Sequence, residues 1–116
     1  MLFNKALKKV LGPKYELDLV FVPSPFMKNL NKIYRRKNKT ANVLSFGLAD
    51  NSGQIFFDPQ LIKKEASRLK ESFNSRLWRL YLHSLLHLNG MDHEASKKSA
   101  HKMELEELKL MKNFNI

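Results

Sequence analysis

The segment HSLLHLNGMDHE gathers three of the chain's four histidines, His83, His87 and His93, within eleven residues. His83 and His87 stand four apart, so on a helix both imidazoles leave the same face about 5–6 Å from each other. Two ring nitrogens at that separation can share one ion through metal–nitrogen bonds of about 2.0–2.1 Å. Gly90 follows three positions later. Without a Cβ it can take a positive φ at no steric penalty and turn the chain back, so that His93 reaches the same ion. Three neutral imidazoles with no fourth protein ligand at hand describe a catalytic rather than a structural zinc site, its remaining position left to water. The competing reading, three unrelated histidines, does not explain why the helix stop falls where a third ligand requires it.

The spacing also fits the HxxxHxxGxxH skeleton of metzincin proteases, but Ser84 stands where they carry a general-base glutamate. A peptidase lacking that base would forfeit about 10²–10⁴-fold in rate. Asp92 and Glu94 are carboxylates nearby, yet neither shares the helical face in question. His101 falls on the last predicted helix and reads as a solvated side chain. Glu104 and Glu107 lie near the middle of that helix's apolar stripe, flanked by Ala100, Met103 and Met111. Charge is expensive there unless paired. Two readings stand: the carboxylates meet a buried arginine or orient a ligand histidine, or the stripe is shallow and both reach solvent.

The elements that must position these residues follow from periodicity. Leu2, Phe3, Ala6, Leu7, Val10 and Leu11 recur at helical spacing until Gly12-Pro13. Leu17, Leu19 and Phe21 alternate as in a strand. Ser24-Pro25 reads as a cap followed by a helix-starting proline. Phe26, Met27, Leu30, Ile33 and Tyr34 then give an apolar face, and Arg35, Arg36, Lys37 and Lys39 a basic end. Val43–Leu48 and Ile55–Phe57 are short strand-like runs around a turn with Asp50, Asn51 and Gly53.

Asp58-Pro59 repeats the cap-and-proline start, before a helix directing Leu61, Ile62, Ala66 and Leu69 inward. Asn74-Ser75 breaks and recaps the chain. From Leu77 to Leu88 apolar residues occur on nearly every side, which predicts a core helix, stopped by Asn89-Gly90. A last helix is expected from about Ala95 to Met111. The order implies an α+β fold: a small mixed sheet backed by about five helices, the histidine-bearing core helix followed by a glycine turn.

With 116 residues and neither repeat nor linker, a single domain over 1–116 is expected, large enough for its own core. The absence of cysteine excludes disulfides, thiolate metal sites and thiol nucleophiles. No apolar run approaches the roughly 20 residues of a membrane span, and MLFNKALKKVLGPK lacks the apolar centre of a secretory signal, so a cytoplasmic protein without a membrane partner is expected. The formal net charge is +10. Residues 1–40 hold ten Lys/Arg against two acids, and 61–80 six against two. Such a field attracts polyanions, and RNA, DNA and anionic membrane are all consistent with it. Arg36, Lys37 and Lys39 are the candidate RNA-binding cations.

HSLLHLNGMDHE resembles the HGxLHLxGYDH signature of the YbeY-type rRNA maturation factors, a family of small zinc-dependent endoribonucleases. LNKIYRRKNKTANVLSF is similar to that family's second block, in which a helix-end arginine precedes a T-(D/N)-V-L-S-F strand. Gly53-Gln54-Ile55 sits where the family shows Gly-Asp-Ile. The likeness runs from about Leu17 to Met111. It implies one zinc ion on His83, His87 and His93, catalytic roles for Arg35 and Ser45, and a mixed sheet of about four strands. It further implies single-strand-specific cleavage in late maturation of small-subunit ribosomal RNA and in ribosome quality control. The implied partners are ribosomal RNA and the small subunit, together with ribosomal proteins and a ribosome-associated GTPase. This chain departs from the pattern at Ser84 for Gly, Met91 for Tyr, Ala41 for Thr, Gln54 for Asp, and Gly47 for a proline. None of these is a predicted ligand.

Overall fold

The computed structural model describes residues 2–90 and 96–114. His93, with Met91, Asp92 and Glu94, lies outside the described residues. Eight elements follow in order: α1 (Leu2–Leu11), β1 (Glu16–Phe21), α2 (Ser24–Arg35), β2 (Val43–Ala49), β3 (Ser52–Phe57), α3 (Pro59–Arg68), α4 (Phe73–Leu88) and α5 (Lys97–Asn113). The α+β class and five helices are as expected. Among the described residues the sheet has three strands rather than about four, in the order β1-β3-β2.

The central strand β3 pairs parallel with β1 and antiparallel with β2, its hairpin partner. Its residues alternate in burial, and both faces are used. Ile55 and Phe57, with Leu17, Leu19 and Val43, face the main core built around Leu77, Leu80, Tyr81, Leu82, Leu85, Leu86, Met103 and Leu110. Phe56, with Val20, Leu44 and Phe46, faces a smaller cluster beneath Met27 of α2. A strand buried on both sides must be apolar along its length, which explains the run Ile55-Phe56-Phe57. Gly53 on this strand sits in a tight place: a Cβ there would fall 2.5 Å from the Tyr15 hydroxyl, which would have to move, and 3.0 Å from the Phe46 carbonyl oxygen.

Helix α4 lies in the core as predicted, with seven of its residues from Leu77 to Leu86 buried. The cap of α3 is also as predicted, Asp58 accepting from the Leu61 N–H at 3.1 Å. Three boundaries differ. Helix α2 is capped by Pro23, without a side-chain bond. Ser24 Oγ instead donates to Asp58 at 2.6 Å, and Thr40 Oγ1 donates to the same oxygen at 3.1 Å. With Pro23 at the N-cap, Ser24 is already the first helical residue and its hydroxyl is free to donate to the buried carboxylate; the three-way junction ties the start of α2 to α3 and to the chain entering β2. Ser72, not Asn74-Ser75, caps α4, and Ser96 caps α5, shifting that helix to Lys97–Asn113.

The apolar face of α2 is narrower than predicted. Met27 is buried, but Phe26, Ile33 and Tyr34 are about half or more exposed, because this helix covers a single small cluster and only one of its sides meets the sheet. Leu69, expected inward, is likewise half exposed at the end of α3. None of the helices is long and apolar enough to cross a membrane, among the described residues.

Candidate active site

A cleft of about 610 Å³ opens along the outer edge of β2, between α4 and the C-terminal end of α2. Helix α4 supplies Arg76, Arg79, Leu80, His83, Ser84 and His87; β2 supplies Val43, Leu44, Ser45 and Phe46; Asn42, Arg35 and Glu107 complete the wall. Four of the predicted site residues, Arg35, Ser45, His83 and His87, therefore meet on one surface, although Arg35 and His87 are 52 positions apart in the chain. The helical spacing of the two histidines is realised within α4. Gly90 adopts φ 96° directly after that helix, the left-handed turn its sequence position calls for.

The Glu107 carboxylate, 8% exposed on α5, lies 2.8 Å from His83 Nδ1. A carboxylate can only accept here, so His83 donates from Nδ1, and in the neutral tautomer that makes this bond the lone pair is on Nε2. The Arg79 Nε is 3.9 Å from the other Glu107 oxygen. Of the two acids in this stripe Glu107 is the one that meets a histidine, while the arginine near it, Arg79, is partly exposed rather than buried; Glu104 is exposed. His101 is exposed as expected. Ser84 is buried, and its hydroxyl donates to the Leu80 carbonyl at 2.9 Å within α4. At the position where a metzincin carries its base there is thus a hydroxyl already spent on its own helix.

Arg36, Lys37 and Lys39 do not line the cleft; they are exposed at the end of α2 and in the turn after it. That turn is held from below. The Arg36 and Lys37 N–H groups donate to the Lys32 and Asn31 carbonyls, and Asn31 Nδ2 donates to the Lys39 carbonyl at 2.8 Å. Arg36 sits at φ 57°, a conformation that favours glycine.

Sequence reasoning missed Arg76, Arg79 and Asn42. The arginines had a signal: positions 76, 79, 83 and 87 recur at three and four, so one helical stripe carries two guanidinium groups and two imidazoles. Asn42 had none, since its place follows from tertiary contacts. It donates to Glu65 Oε1 at 2.9 Å, and Glu65 lies 3.7 Å from Arg76 Nη2. The cleft wall is thereby tied to α3.

Fold and cleft together define a small α+β protein whose core helix presents histidines to an arginine-rich groove. A family model described as Endoribonuclease YbeY matches residues 1–115. The chain is 35% identical over 121 residues to the Endoribonuclease YbeY of Thermodesulfovibrio yellowstonii, covering 96% of this chain and 76% of that protein. It is 35% identical over 119 residues to the one from Campylobacter jejuni, covering 98% and 86%. The solution structure of TM1509 from Thermotoga maritima shares the fold, with a TM-score of 0.69 at 23% identity over 97% of this chain and 79% of that one. The chain belongs to the endoribonuclease YbeY family, whose members are named as RNA-cleaving hydrolases.

Proposed function

We propose that this protein is a zinc-dependent endoribonuclease that cuts single-stranded RNA during late maturation of small-subunit ribosomal RNA and in ribosome quality control. The observation that carries the reading is the convergence of His83, His87 and Arg35 on one cleft. Two donors of the type zinc takes support the metal assignment. Two imidazoles one helical turn apart face the same space, and the Glu107 bond commits His83 to the tautomer whose Nε2 can ligate. His83 and His87 would hold zinc together with His93.

Zinc, when bound, supplies Lewis-acid polarisation and lowers the pKa of water toward about 7. The chain's own groups do the rest. Arg35, permanently charged and planar, grips a phosphate and offsets the charge that grows in the transition state. Arg76 and Arg79 add positive potential to the cleft floor. Arg76 is positioned by Glu65 and by Glu71, whose Oε1 is 3.8 Å from its Nε. Ser45 offers a hydroxyl from β2 as a hydrogen-bond partner for the strand. Arg36, Lys37 and Lys39 extend the cationic track for the backbone beyond the cut. By this reading the protein works in the cytoplasm on the small subunit, beside ribosomal proteins and a ribosome-associated GTPase.

His87 is exposed, so His87→Ala tests the reading without threatening the core. Cleavage of an unstructured RNA should fall by at least about 10²-fold while the circular dichroism spectrum stays that of the wild type. Wild-type cleavage by a folded His87→Ala protein would refute it.

A further inference from the structure

Folding leaves an aromatic surface uncovered beside the cleft. Tyr34 is 64% exposed and immediately precedes Arg35, which lines the cleft. Its ring centroid is 5.2 Å from that of Phe46, itself a cleft residue. Behind Phe46 the row continues into Phe56, edge-on at 5.9 Å, and from Phe56 to Phe26 at 6.4 Å. Phe46 and Phe56 belong to the cluster beneath α2, so the outermost ring rests on a fixed base.

We infer that Tyr34, braced by Phe46, is a stacking platform for one unpaired RNA base next to the phosphate held by Arg35, and that this contact gives the preference for single strands. The inference rests on the functional reading above and adds a contact which that reading does not contain. Every base has a π-face, so a ring beside a phosphate clamp captures single strands with little regard to sequence. In a duplex the base faces are occupied by their neighbours and cannot reach such a ring. Charge selects the occupant. Arg35, Arg36, Lys37 and Lys39 follow Tyr34 directly in the chain, within one helix end and the turn after it. The core of a protein-binding patch is depleted of charge, whereas a track for a polyanion combines cations with exposed rings.

The test uses the full chain with a chelator present, so that cleavage does not consume the probe. Binding of a short unstructured RNA and of a blunt duplex is followed by fluorescence anisotropy. Tyr34→Ala and Tyr34→Leu should each weaken single-strand binding by about 5- to 150-fold, and Tyr34→Phe should restore it. Duplex binding should not change, so the preference for single strands shrinks by the same factor. An abasic nucleotide that weakens wild-type binding but not Tyr34→Ala binding would localise the stacked base.

Leucine serving as well as tyrosine, or equal losses for both RNA forms, would overturn the platform. So would unchanged single-strand binding by Tyr34→Ala, the result expected if the ring serves a protein partner. In each of those cases the endoribonuclease reading survives. Failure of the wild type to bind either RNA at low salt would overturn both.

Discussion

Glu107 holds His83 by its Nδ1 at 2.8 Å, joining α5 to α4 across 24 positions of sequence. The bond restrains the ring's rotation, and the Arg79 Nε stands 3.9 Å from the other Glu107 oxygen. Such partners of a ligating histidine are worth about 10–100-fold in metal affinity. Glu107→Ala should weaken zinc binding by that factor, measured by competition with a chelating dye. Glu107→Gln, which retains an acceptor oxygen, should lose less. Equal affinity for all three proteins would mean that the bond is structural only.

Arg36 keeps a charged side chain where the backbone favours glycine, with φ 57°. The left-handed conformation costs a non-glycine residue about 1–2 kcal/mol. Arg36→Gly should therefore raise stability toward urea by about 1 kcal/mol. If Arg36 contacts a phosphate, the same change should weaken RNA binding and reduce the salt slope by about 0.7, the value for one contact on a single strand. A gain in stability with an unaltered slope would remove Arg36 from the RNA track.

Tyr81 is 1% exposed, and burial pushes its phenol up to about 12. Its hydroxyl donates to the Phe3 carbonyl at 2.9 Å, with the Phe3 ring stacked on its own. The unfolded chain releases this proton near pH 10 and the native protein does not, so the native state binds more protons and stability falls as pH rises. The contribution is complete below about pH 10 and is lost through pH 12, on the order of 2 kcal/mol. Urea melts across that range should show a steeper decline for the wild type than for Tyr81→Phe. Parallel declines would contradict the assignment.

Much of this was legible in the sequence because it depends on local periodicity. The all-round apolar run from Leu77 to Leu88 could only be a core helix, and the four-residue step from His83 to His87 fixed their common face. The Asp58-Pro59 start and the Gly90 turn are equally local. What escaped depends on partners distant in the chain. Ser24 looked like a cap, but the deciding acceptor, Asp58, lies 34 positions away. Glu104 and Glu107 were equivalent on a helical wheel, and only the rotation of α5 against α4 separates the carboxylate that meets His83 from the one that meets water. Tyr34 and Ile33 scored as apolar face because periodicity reveals which side of a helix is greasy, not how much sheet lies beneath it.

Removal and return of the metal tests the centre of this account. Protein freed of metal by a chelator and confirmed metal-free by elemental analysis should leave single-stranded RNA intact. Stoichiometric zinc should restore cutting to the wild type but not to His83→Ala. Full-rate cleavage by the metal-free protein would contradict a metal held by His83 and His87 as the source of the activity.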